Sequence, residues 1–111
     1  MIEGGEQARF GLKEATIAAI NAVFARYPEI ERAVLYGSRA KGSHRPGSDI
    51  DLTLIGDGVT YLALQRITNE IDDLLLPYTV DLSLHRQIDN PDLLAHIERV
   101  GVVFYRKEDT P

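Results

Sequence analysis

The sequence predicts a two-layer α/β (α+β) domain, a small mixed β-sheet with helices on one face. Three observations lead there. Segments with helical spacing of apolar residues alternate with short segments of strand character. Two of the strand segments are strictly two-faced: Ile50, Leu52 and Leu54 alternate with Asp49, Asp51 and Thr53, and Val80, Leu82 and Leu84 alternate with Asp81 and Ser83. A doubly wound parallel sheet would need strands apolar on both sides, so helices are expected over the apolar side alone, leaving the carboxylate side open.

Each element has its own signal. Ile17, Ile20, Phe24 and Tyr27 fall on one stripe of a helix from about Leu12 to Tyr27, closed by Pro28. Ala33 to Tyr36 reads as a short buried strand that stops at Gly37-Ser38. Arg39 to Ser48 holds too many Gly, Pro and charged residues for more than a turn of helix and a loop. The strand from Asp49 to Ile55 follows, then a helix from about Thr60 to Leu75 with Leu64, Ile67, Ile71 and Leu74 on one stripe, ending before Pro77. Tyr78 to Leu84 is the next strand. Asn90-Pro91 supplies a cap and a first-turn proline for a helix ending near Gly101, and Val102 to Tyr105 forms a last strand.

Composition narrows the function classes. A chain of 111 residues with 44% hydrophobic and 26% charged residues suits one globular domain, residues 1–111, with an ordered core over about 12–105. The first ten or so residues and the tail from Lys107 are expected to fray. Absence of Cys excludes a disulfide scaffold, a thiolate zinc site and a cysteine nucleophile. Twelve Lys and Arg against 17 Asp and Glu give a net charge of -5, opposite to the footprint of a dedicated nucleic-acid binder. Met1 to Glu6 lacks the basic start of a signal peptide, and no apolar run approaches the roughly 20 residues that span a bilayer. A cytoplasmic protein, alone or in a small homo- or hetero-oligomer, is expected.

Asp49 and Asp51 project from one face of a strand at roughly 7 Å, where two charges at an effective dielectric near 20 repel by about 2 kcal/mol. Water or a cation must offset this. Asp81, on the matching face of another strand, would complete a hard oxygen site suited to Mg²⁺ or Mn²⁺; a solvated sheet face is the plain alternative. Gly37-Ser38 after a strand is a place where backbone N–H groups can cradle phosphate oxygens, or simply a turn. Arg39, Lys41, His44 and Arg45 invert the local charge, as a polyphosphate would require and as a solvated basic loop also would. His85 and His96 read as structural.

In order, Leu35-Tyr36-Gly37-Ser38-Arg39-Ala40-Lys41-Gly42-Ser43, then Gly47-Ser48-Asp49-Ile50-Asp51-Leu52, then Val80-Asp81-Leu82 resembles the minimal nucleotidyltransferases of the DNA polymerase β superfamily. That signature is a Gly-Ser after the first strand, an Asp-x-Asp on the second and a third Asp on a later one, and the resemblance covers about Leu12 to Tyr105. It implies a nucleoside triphosphate, ATP, bound at Gly37, Ser38, Arg39, Lys41 and Ser48, and two Mg²⁺ (or Mn²⁺) ions held by Asp49, Asp51 and Asp81. Many stand-alone relatives are paired with a HEPN-type toxin and act as its antitoxin by placing AMP on a tyrosine, so a HEPN partner is implied too. A module that neutralises its partner by binding, without turnover, is the second expectation, and a phosphotransferase with an aspartyl nucleophile is a third.

Overall fold

The alternation of side chains along four short segments decides how the layers stack. The computed structural model describes residues 9–107. Their order is α1 (Glu14–Phe24), β1 (Arg32–Tyr36), α2 (Ser38–Lys41), β2 (Ile50–Ile55), α3 (Tyr61–Asp72), β3 (Val80–Leu84), a 3-10 turn (His85–Gln87), α4 (Pro91–Val100) and β4 (Val102–Arg106). The strands form one sheet, β3-β2-β1-β4. β1 is antiparallel to β2 and β4, whereas β2 and β3, joined through α3, are parallel, as a helical crossover allows. The expected mixed sheet is present. The fraying expected at the two ends falls almost entirely outside the described residues. Among those residues no helix is long and apolar enough to cross a membrane.

Register partners share a face, so the pairing sorts the sheet into rows. Leu35, Leu52 and Leu82 form one row, and Tyr36, Asp51 and Asp81 form the next. The leucine row faces α1 and α3, where Ile17, Ile20, Phe24 and Ile67 are buried in one core with Leu35 and Leu52. Each such side chain contributes about 1.5–3 kcal/mol by leaving water. α1 is shorter than the sequence predicts. Leu12 lies before the helix yet is fully buried, and past Phe24 the Arg26 and Tyr27 amides donate to the Val23 and Phe24 carbonyls, tightening the last turn ahead of Pro28. α3 is capped at Thr60, whose hydroxyl accepts from the Ala63 amide at 3.0 Å, and its Glu70 meets Arg26 and the Tyr27 hydroxyl at the end of α1.

One expectation needs correction: helices do not lie on the apolar face alone. Val34 alternates with the core residues Ala33 and Leu35 and so turns to the carboxylate face, where α4 meets it. A Cβ on Gly101, at the end of α4, would lie 2.8 Å from Cγ1 of Val34. The reason is a second apolar stripe: Leu93, Ile97 and Val100 need cover, and Val34 with its register partner Val103 makes that part of the face apolar. The carboxylates of β2 and β3 lie beside α4.

Candidate active site

β1 ends, and β2 and β3 begin, at the same edge of the sheet, and this convergence builds the site. Tyr36 pairs with Asp51, and Asp51 pairs with Asp81, so one row carries an aromatic hydroxyl and two carboxylates. The next residue after Tyr36 is Gly37, with φ 78° and ψ −157°. A Cβ there would lie 2.5 Å from Oδ2 of Asp51. Positive φ and this close approach both require glycine. The Gly37-Ser38 turn thus starts against the Asp51 carboxylate.

Asp49 stands one residue before β2, with its side chain exposed, whereas the sequence places it on the strand. It remains close enough to act on Asp51 electrostatically. Burial, then the charges of Asp81 and Asp49, push the Asp51 carboxyl above its ordinary value, and His96 acts in the opposite direction. The Tyr36 phenol is also raised: burial contributes most, a hydrogen bond with Ser83 opposes it, and Asp51 and Asp81 add to it. Asp81 is exposed.

His96, expected to be structural, is part of the site. Its Nε2 accepts from the Gly37 amide at 3.2 Å, and its ring stands edge-on to Tyr36 with centroids 6.3 Å apart. The amide that the sequence expects to be free for phosphate is therefore held from α4. A signal existed: Leu93, His96, Ile97 and Val100 have i, i+3, i+4, i+7 spacing, which puts His96 on the helix face that packs.

The basic cluster divides on folding. Lys41, Arg45 and the loop residues Gly42, Ser43, Pro46 and Gly47 are exposed, while Arg39 is buried. Its Nε and Nη2 donate to the Ser48 carbonyl and its Nη1 to the Phe10 carbonyl. Ser48 is half-buried, and its hydroxyl accepts from the Arg45 amide at 2.9 Å. His44 is half-buried against Gly11. Of the expected nucleotide ligands, Gly37 lies against Asp51 and Ser38 and Lys41 begin and end α2, whereas Arg39 is hydrogen-bonded to Ser48 in the loop that follows.

The residues fit divalent cations by donor chemistry. Three carboxylates supply hard oxygens, and the charges of Asp81 and Asp49, which add to burial in raising the Asp51 carboxyl, are ones a cation would offset. Among the described residues no three His, Cys, Asp or Glu side chains are already drawn around one point.

Comparison with known proteins bears on the family and the fold. Residues 18–110 match the family model described as polymerase beta, nucleotidyltransferase. A protein of Haemophilus influenzae, the probable protein adenylyltransferase MntA, is 29% identical over 104 residues, 93% of this chain and 90% of that protein. A crystal structure of a toxin–antitoxin with AMP-PNP superposes with a TM-score of 0.65 at 20% identity, covering 87% of this chain and 76% of that one. A structure of a tri-AMPylated Shewanella oneidensis HEPN toxin in complex with its MNT antitoxin gives 0.62 at 17% identity, covering 85% and 72%. At these identities the two structures show the same fold.

Proposed function

The chain belongs to the polymerase β nucleotidyltransferase family, and from that premise we propose that it transfers AMP from ATP to a tyrosine hydroxyl of a HEPN-type toxin and so acts as that toxin's antitoxin. The observation that carries this reading is the close approach of Gly37 to the Asp51 carboxylate beside Asp81, with no room for a Cβ between them. A phosphate turn and an acidic pair meet at one point, as nucleotidyl transfer needs. The name of the Haemophilus relative and the AMPylated toxin in the Shewanella complex support the choice of nucleotide and acceptor.

Asp49, Asp51 and Asp81 would hold two Mg²⁺ or Mn²⁺ ions, which supply charge neutralisation at the triphosphate and lower the pKa of the acceptor hydroxyl. The Gly37-Ser38 turn binds the terminal phosphates, with the Ser38 hydroxyl donating and Lys41 offering a cation from the end of α2. His96 keeps the Gly37 backbone aimed. The acceptor oxygen bonds to the α-phosphorus in line as the bond from that phosphorus to pyrophosphate breaks. The hydroxyl proton passes to a carboxylate oxygen of Asp81.

Incubation of the chain and its co-encoded HEPN-type partner with Mg²⁺ and ATP labelled at the α-phosphate tests this. Label appears on the partner and is lost with Asp81→Asn. Label that transfers only from the γ-phosphate would replace the reading with phosphotransfer.

A further inference from the structure

We propose that Arg39 is a positioning residue: one buried guanidinium that holds the three motif segments of the site in register, acting from inside the protein without touching nucleotide. The inference deepens the transferase reading and rests on it for its functional consequence. Arg39 follows Ser38 by one residue and is 3% exposed. Its Nε and Nη2 both donate to the Ser48 carbonyl, at 3.0 and 2.8 Å, and Ser48 immediately precedes Asp49. Its guanidinium carbon lies over the Tyr78 ring, 5.0 Å from the centroid, and Tyr78 leads into β3 and Asp81. Its Nη1 donates to the Phe10 carbonyl at 2.8 Å.

Thus the Gly37-Ser38 turn, the Asp49 loop and the approach to Asp81 converge on one side chain. The chemistry calls for arginine in particular. A fork donates twice to one carbonyl, a third donor leaves for another, and the cation sits over an aromatic ring; lysine offers a compact point charge without the fork. A cation this deep is tolerated only where its donors are matched, and here two carbonyls and a ring match them. The surrounding backbone is tied in the same sense. The Ser48 amide donates to the Arg45 carbonyl at 3.0 Å, and the Ile50 amide donates to the Thr79 carbonyl at 2.9 Å, so the Ser48 carbonyl is a fixed target that moves only with Asp49. Phe10 and Gly11 both have positive φ, 59° and 73°, a bend that presents the Phe10 carbonyl to Arg39. Asp49 itself is exposed and outside β2, so its placement depends on what holds Ser48.

The test uses the full chain with Arg39→Lys, Tyr78→Leu and Tyr78→Phe, read by calorimetric titration with Mg²⁺ and ATP below the melting temperature and by amide resonances in NMR. Arg39→Lys is expected to remain folded yet lose about tenfold or more in affinity, the scale of a small misplacement of binding groups. The amide resonances of Gly37, Asp49 and Asp81 shift together while those of Ile20 and Ile67 in the core stay in place. Tyr78→Leu loses affinity and Tyr78→Phe, which keeps the ring, recovers it. A folded Arg39→Lys that binds Mg²⁺ and ATP like the parent overturns the proposal. If Arg39→Lys does not fold, equal affinities of Tyr78→Leu and Tyr78→Phe overturn it instead. A parent chain that itself fails to bind Mg²⁺ and ATP overturns the transferase reading, and the resonances then decide the role of Arg39: shifts confined to its sequence neighbours overturn it, and joint shifts at Asp49 and Asp81 uphold it.

Discussion

Asp51 lies directly beside Asp81, its register partner across the parallel β2–β3 pair. Burial does most to raise the Asp51 carboxyl, and the neighbouring charges of Asp81 and Asp49 add to it. The site therefore carries an electrostatic cost in the free protein that bound cations would relieve.

This cost has a pH signature. The folded chain holds the Asp51 proton more tightly than the unfolded chain. The contribution of Asp51 to stability is therefore complete below the ordinary value of 3.8 and lost as pH rises through the raised folded value. In chelator at neutral pH, Asp51→Asn is expected to melt at or above the parent, with the difference closing as the pH falls into the carboxylate range. Mg²⁺ raises the melting temperature of the parent and leaves that of Asp51→Asn unchanged. Thermal melts across pH check both, and a variant that melts below the parent in chelator contradicts the account.

Ser38→Ala should weaken triphosphate binding by about 1 kcal/mol, one hydrogen bond. Gly37→Val should do far more, since its Cβ would lie 2.5 Å from Asp51 Oδ2 at a backbone φ of 78°. Calorimetry with Mg²⁺ and ATP ranks them. A Gly37→Val protein that is folded and binds normally removes the phosphate-turn assignment.

His96→Ala leaves the Gly37 amide without its acceptor and should cost about 1 kcal/mol of stability, together with nucleotide affinity. Asn90→Ala removes the cap that accepts from the Asp92 and Leu93 amides and should cost about 1 kcal/mol as well, with a smaller loss of affinity because α4 carries His96. Urea unfolding and nucleotide titration separate the two effects. Unchanged affinity in His96→Ala would reduce the imidazole to packing.

The period-two alternation of β2 and β3 was enough to read the sheet, because burying one face of a strand leaves little freedom in which residues point inward. It placed Ile50, Leu52 and Leu54 in the core and Asp51 and Asp81 opposite them, as the register shows. It carried Asp49 one residue too far, since alternation cannot tell the last loop residue from the first strand residue. The three-and-four spacing of α1 and α3 identified Ile17, Ile20, Phe24, Ile67 and Ile71 as buried.

What stayed hidden depends on contacts between distant segments. Arg39 looks like a member of a basic loop, and only the return of that loop across Phe10 and Tyr78 buries it. α4 is legible as a helix from Asn90 and Pro91, but the face of the sheet it covers follows from Val34 and Val103, two apolar residues on otherwise polar rows. His96 could have been read from its place on the α4 stripe; its bond to Gly37 could not.

The most direct measurement of the central claim is the intact mass of the HEPN-type partner co-purified with this chain, compared with the same partner co-purified with Asp49→Asn. AMP-sized increments are expected on the partner and disappear with the substitution. A partner that carries no Asp49-dependent increment, yet is still neutralised in the complex, would contradict adenylyl transfer and leave neutralisation by binding.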